Sequence, residues 1–267
     1  MSALDEIDDR YAVILCDIWG CIHDGVELYA GVTERLQRWR ESSATVILIT
    51  NAPRTAEAVA GQLFALGLDE SLWSGIATSG DAGIECLKEV ERPVGFIGTV
   101  ADRAILESRG VSIADGGDFD QLACSGLDEK RRTVADYDDQ IRPLASRDVL
   151  MHCLNPDRFV IRGGVPEPCA GAIADRYIEL GGRVEYYGKP FPAIYRHAMR
   201  LAGDPAPGAV LAIGDGLDTD VLGAARMGFD CVYVSGGISQ GEGIPDDFAA
   251  KNHLGGWRPV AVVEGLA

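Results

Sequence analysis

Apolar runs punctuate this chain, and each stops at a polar residue. Residues 12–16, 46–49, 210–213 and 231–234 are apolar throughout, the pattern of strands buried on both faces of a parallel sheet. They run into Asp17, Thr50-Asn51, Gly214-Asp215 and Ser235-Gly236-Gly237 respectively, and a further run at 184–187 leads into Gly188-Lys189-Pro190. Between them Val32, Leu36 and Trp39, then Val59, Leu63 and Leu66, recur at helical spacing. Strands alternating with helices predict βαβ units and hence a parallel sheet. Its carboxyl edge, where such sheets bind ligands, then collects the polar residues.

Near Ser79-Gly80-Asp81 the pattern changes. A helix over about 82–90, a short strand at about 94–97, a helix over about 101–108 and polar loops follow, before a return around Gly181-Gly182. The predicted fold is α/β: a Rossmann-like parallel sheet core with helices on both faces, built from 1–80 and 183–267, plus an inserted α/β cap domain over 81–182. A chain of 267 residues is long for one compact core and comfortable for two.

Asp17, at a predicted strand end, is a candidate nucleophile or metal ligand, although strand-end aspartates also cap helices and form turns. A carboxylate attacking a phosphate monoester is repelled by the dianion it must approach. A divalent cation and a fixed ammonium offset that charge. Magnesium takes hard oxygen ligands and keeps waters, which suits Asp17 and Asp215 as paired carboxylates. Lys189 supplies a compact positive charge, and the Thr50 hydroxyl with nearby N–H groups can hold phosphoryl oxygens.

In order, Asp17-Ile-Trp-Gly, Thr50-Asn51, Gly188-Lys189-Pro190 and Gly214-Asp215-Gly-Leu-Asp218-Thr219-Asp220 resemble the four motifs of the haloacid dehalogenase superfamily. The long insertion, together with Leu48-Ile-Thr-Asn-Ala-Pro-Arg54 and Asn155-Pro156-Asp157, is similar to subclass IIA, the NagD-like and p-nitrophenyl-phosphatase group. The resemblance implies a magnesium-dependent phosphatase acting on a small phosphorylated metabolite: a nucleotide, sugar or cofactor phosphate. By the same resemblance Asp17 is the nucleophile, Thr50 binds the phosphoryl group, Lys189 neutralises charge and Asp215 is a magnesium ligand. The Trp19 backbone carbonyl joins the metal set, and Asp220 stands near the metal or holds Lys189. Asn51, Arg54, His23, Asp24, Asn155 and Asp157 are candidate substrate contacts, with Arg158 and a Gly163-Gly164 turn on the insertion beside the last two.

Trp19 is a departure. In phosphatases of the superfamily this position carries a second aspartate that exchanges protons, whereas an indole N–H donates a hydrogen bond and exchanges no proton at neutral pH. General acid–base help is worth ~10²–10⁴-fold. His23 and Asp24, on the same turn, are the nearest substitutes, and the simpler expectation for them is a self-capping turn with Gly25 at positive φ. Two alternatives follow from Trp19. One is a catalytically weak or inactive protein that binds phosphorylated ligands. The other is a metal-independent haloacid dehalogenase, which the paired acids Asp215 and Asp220 argue against. A dinucleotide site is weaker again, because Gly214-Asp-Gly-Leu-Asp puts acids where pyrophosphate needs bare N–H groups.

Lys and Arg number 24 against 41 Asp and Glu, a net charge of −17, so nucleic acid and anionic membranes are not expected partners. A small phosphorylated substrate is expected instead, and a homodimer is among the assemblies such a chain could form. The opening residues lack the regions of a secretory signal, and no apolar stretch reaches membrane-spanning length, so a cytoplasmic protein is expected. Seven scattered cysteines read as reduced, largely buried thiols rather than disulfides or a zinc site. His152, between apolar neighbours, reads as a packed strand residue.

Overall fold

The computed structural model describes residues 3–6, 10–162, 165–237 and 243–267. Its strands are β1 (Val13–Asp17), β2 (Thr45–Thr50), β3 (Gly75–Thr78), β4 (Gly95–Ile97), β5 (Gln121–Cys124), β6 (Leu150–Cys153), β7 (Phe159–Arg162), β8 (Val165–Pro168), β9 (Arg183–Tyr186), β10 (Val210–Gly214), β11 (Asp230–Val234) and β12 (Ala261–Val263). Its helices are α1 (Val32–Glu41), α2 (Ala56–Ala65), α3 (Ser79–Leu87), α4 (Val100–Ser108), α5 (Asp138–Ser146), α6 (Ala170–Glu179), α7 (Pro192–Leu201), α8 (Leu222–Met227) and α9 (Phe248–Lys251). These elements divide into two compact units.

The first unit comprises Met1–Thr50, Ala56–Ala77 and Lys189–Ala267. Its sheet has the order β12-β11-β10-β1-β2-β3, and β1 pairs in parallel with both β2 and β10. Alternate residues Val13, Leu15, Ile47, Ile49, Val210 and Ala212 form one face and meet Ile194, Tyr195 and Ala198 of α7 with Leu222 and Ala224 of α8. The intervening Ile14, Cys16, Val46, Leu48, Leu211 and Ile213 are equally buried and, by strand alternation, point to the other face. There α1 lies against β2 and buries Val32, Leu36 and Trp39. The result is a parallel sheet with helices on both faces, which is why the strands read as unbroken apolar runs.

The second unit comprises Asn51–Thr55 and Thr78–Gly188. It carries a four-stranded parallel sheet of order β4-β5-β6-β9 and the antiparallel pair β7-β8. Leu122, Cys124, Met151 and Cys153 of its central strands pack against Ile141 and Leu144 of α5 and Ile173, Ala174 and Tyr177 of α6. The boundaries differ from the expected 81–182 and 183–267. The run at 184–187 does not enter the large sheet; Arg183–Tyr186 pairs with β6 as an edge strand, so the second unit continues to Gly188. The residue types carry the reason: Arg183 and Glu185 are exposed while Val184 and Tyr186 are half-buried, an edge-strand alternation rather than a two-face burial. The Gly163-Gly164 turn lies outside the described residues.

His152 sits in β6, buried, with its ring nitrogens 2.7 Å from the Tyr187 hydroxyl and 2.7 Å from Gln121 Oε1. The Gln121 oxygen can only accept, so Nε2 carries the proton and Nδ1 accepts from Tyr187. Burial lowers the His152 pKa below the ordinary histidine value of 6.5. The unfolded chain therefore takes up this proton first as the pH falls, and stability drops below about pH 6.5. Urea unfolding at pH 7.0 and pH 5.5 should show that loss, and His152→Gln should reduce its size; an equal loss in both proteins would remove His152 from the explanation.

Candidate active site

β1, β2 and β10 end together, and their last residues set the site. The β1–β2 register pairs Asp17 with Ile49, so Thr50 stands one residue beyond Asp17's strand partner. Asp215 follows the last residue of β10, the strand on the other side of β1. Lys189 opens the chain's return to this unit just ahead of α7. Its Nζ donates to Asp17 Oδ1 at 2.5 Å and to Asp220 Oδ1 at 2.8 Å. All four charged side chains are buried: Asp17 is 5%, Lys189 3%, Asp215 1% and Asp220 4% exposed.

Asp220 gets its direction from a π-helical turn over Leu217–Val221, in which the Val221 N–H donates to Gly216 O at 3.0 Å. Its second oxygen accepts from the Gly216 N–H at 3.2 Å and the Thr219 hydroxyl at 3.1 Å. Both carboxylate oxygens are thus engaged within this loop and on Lys189. Asp220 therefore holds Lys189 through the oxygen opposite the loop's own donors. The group of possible ligand atoms mutually within 4.8 Å is Asp17, Cys21 and Asp215, all buried.

Asp215 is packed against bare backbone. A Cβ on Gly20, whose φ is +89°, or on Gly237 would collide with the Asp215 carboxylate. Gly214 and Gly216 similarly leave room for Asp220 and Thr219. Gly20, Gly237 and Cys21 were not singled out as functional from sequence, since only the fold brings them to Asp215.

Three buried carboxylates face one ammonium, and this imbalance governs the electrostatics. Burial pushes the Asp17 carboxyl well above the ordinary range; Asp220 and Asp215 add to that, against Lys189. Burial opposes the charged form of Lys189, but Asp17 and Asp220 outweigh it and hold the ammonium well above its usual range. Burial leads the Asp17 shift and opposes the Lys189 one, while the neighbouring carboxylates push both groups towards holding their protons. The donor set fits a divalent cation: two buried carboxylates bring ligand oxygens within 4.8 Å of each other, the hard donors such an ion takes. Cys21, pushed up by burial and then by Asp17 and Asp215, stays a neutral thiol beside them.

His23 is buried, its Nδ1 accepts from the Gly25 N–H at 2.9 Å, and burial lowers its pKa, so it is neutral with the proton on Nε2. The exposed Asp24 accepts from the N–H groups of Val26 at 2.8 Å and Glu27 at 3.0 Å, the self-capping turn expected of that sequence. The half-buried Trp19 meets His23 edge-on with ring centroids 5.2 Å apart, and its indole fills the space beside Gly25. In the second unit Asn51 donates to Asp157 at 2.8 Å, and the Asp157 N–H donates to Asn155 Oδ1 at 3.0 Å. These three proposed substrate contacts satisfy one another, whereas the Arg54 side chain is exposed. Arg158, also exposed, pairs with Asp175 at 2.6 Å.

A family model described as haloacid dehalogenase-like hydrolase matches residues 14–112, and a HAD-hydrolase-like model matches residues 186–267. A crystal structure of a haloacid dehalogenase-like hydrolase from Brucella suis 1330 aligns over 100% of both chains at 34% identity with a TM-score of 0.87. The chain belongs to the haloacid dehalogenase-like hydrolases. The acid sugar phosphatase of Staphylococcus epidermidis is 26% identical over 254 residues, 91% of this chain and 95% of that protein. Ribonucleotide monophosphatase NagD of Escherichia coli K12 is 26% identical over 235 residues, 85% of this chain and 88% of its own. With NagD and the p-nitrophenyl phosphatases as relatives, this hydrolase falls in subclass IIA of its superfamily. No helix among its described residues is long and apolar enough to cross a membrane.

The glycine contacts carry an expected outcome. Gly237→Ala should displace the Asp215 carboxylate and cut turnover on any substrate the enzyme accepts by ~10-fold or more, with a stability loss of about 1–3 kcal/mol from overpacking. Kinetics and urea unfolding check both effects, and an unchanged kcat would show that Asp215 has freedom the packing denies it.

Proposed function

We propose that this hydrolase is a magnesium-dependent phosphatase of a small phosphorylated metabolite, working through an aspartyl-phosphate on Asp17. The observation that carries the reading is the Lys189 ammonium 2.5 Å from Asp17 and 2.8 Å from Asp220, with an oxygen of Asp215 within 4.8 Å of one of Asp17. Its relatives include phosphatases of sugars, ribonucleotides and dihydroxyacetone phosphate by name. Nucleotide, sugar and cofactor phosphates are accordingly the substrate classes to test, and the second unit is the candidate cap that selects among them.

Asp17 is the nucleophile because it is the carboxylate at the end of the central strand, aligned by Lys189. Its oxygen attacks phosphorus and the ester oxygen leaves; water then cleaves the acyl-phosphate and regenerates the carboxylate. Lys189, fixed by Asp220, offsets the charge of nucleophile and phosphoryl group without reorganising. Thr50, at the end of the adjacent strand, donates to a non-bridging oxygen. Asp17, Asp215 and the Trp19 carbonyl would hold magnesium, which neutralises the phosphoryl oxygens when bound. A metal-free dehalogenase reading has no use for three buried carboxylates around one ammonium.

Trp19 favours a second reading, a phospho-ligand protein with slow turnover. Asp24 is committed to its own turn and one nitrogen of His23 to Gly25, so neither is free to act as the missing acid through those groups. Phosphate release from p-nitrophenyl phosphate and a metabolite panel should require magnesium and vanish in Asp17→Asn, with acid-quenched protein carrying hydroxylamine-labile phosphate in the wild type alone. Turnover surviving Asp17→Asn would refute the nucleophile. Trp19→Asp should raise kcat at least tenfold on poor leaving groups, within the ~10²–10⁴ that acid–base help supplies. A rate unchanged by that substitution would mean that another group already transfers the proton.

A further inference from the structure

Cys21 is the one member of the site that the phosphatase reading leaves without a role. It is buried, 2% exposed, and makes no hydrogen bond among the described residues. Its Sγ lies within 4.8 Å of a carboxylate oxygen of both Asp17 and Asp215, which are within the same distance of each other. Three atoms so related have a common point no more than about 2.8 Å from each, against ~2.0–2.3 Å for zinc–oxygen and zinc–sulfur bonds. Shifts of roughly half an ångström per donor therefore close a three-ligand shell. A sulfur contributes nothing to magnesium, which selects hard oxygen, but it raises the affinity of a site for softer metals.

We propose that Cys21 makes this a mixed oxygen–sulfur site that takes a thiophilic divalent cation, zinc or cadmium, through its thiolate, Asp17 and Asp215. Binding forms one metal–sulfur bond and releases the thiol proton to the buffer. The remaining position of a tetrahedral shell is left to water or an anion. Magnesium and the soft cation then compete for the same two carboxylates, and the sulfur decides between them. The proposal shares Asp17 and Asp215 with the phosphatase reading but does not depend on turnover.

The test is a cadmium titration of the full chain carrying Cys86→Ser and Cys169→Ser, which removes the two thiols that are not buried. The readout is the ultraviolet cadmium–thiolate charge-transfer band. One equivalent should produce the band, Cys21→Ser should abolish it, and Asp215→Asn should weaken cadmium binding by roughly tenfold or more. Excess magnesium should titrate it away. No band, or a band unchanged by Cys21→Ser, overturns the proposal. If Cys21→Ser does not fold by circular dichroism, a band indifferent to both Asp215→Asn and magnesium overturns it instead. A band without magnesium-dependent phosphatase activity would sink only the phosphatase reading; activity without a band would sink only the mixed site.

Discussion

One ammonium held between two carboxylates, in a place water does not reach, is the interaction on which the active site depends. At an effective dielectric of 20, two unit charges 4 Å apart interact by about 4 kcal/mol, so each uncompensated carboxylate near Asp17 is costly. Lys189 offsets part of that cost for Asp17 and Asp220. Asp215 adds a third buried carboxylate close to Asp17. The molecule has two ways to settle the account: retain a proton, which is what the raised Asp17 pKa describes, or take up a divalent cation. Pairs such as Arg183–Asp148 on the surface, by contrast, are screened by water and constrain little.

Position follows from backbone rather than from side-chain packing. The parallel register of β1 with β2 and β10 brings three strand ends to one edge, and glycines let the carboxylates press against the main chain. The π-helical turn then aims Asp220 at Lys189, with the Tyr195 hydroxyl donating to Thr219 O at 3.3 Å from below. A site assembled in this way tolerates little displacement, because Asp215 and Asp220 each have glycines where most residues would place a Cβ.

Much of this is legible in the amino-acid order. Runs of four or five residues with no polar interior member read as doubly buried strands, which puts Asp17, Thr50 and Asp215 at strand ends. The packed state of His152 and the self-capping of Asp24 follow from neighbours within a few residues. What escapes is what depends on partners far along the chain. The run at 184–187 looks like a core strand because Val184 and two tyrosines outweigh Glu185, and only its pairing with β6 shows it to be an edge. The mutual hydrogen bonds of Asn51, Asn155 and Asp157 likewise tie Asn51 to a segment far along the chain, which their spacing does not reveal. Gly20 and Gly237 stand in the strand-end segments and Cys21 just after one, but nothing local ties them to Asp215; the fold does.

The central claim is that the excess buried acid around Asp17 and Asp215 is a divalent-cation site. A ligand that binds only the folded state stabilises it by mass action, without limit as its concentration rises above Kd. The most direct measurement is the thermal midpoint of the full chain against magnesium concentration at constant ionic strength. The account predicts a midpoint that climbs steadily through the millimolar range and a nearly flat response in Asp215→Asn; a wild-type midpoint indifferent to magnesium would contradict it.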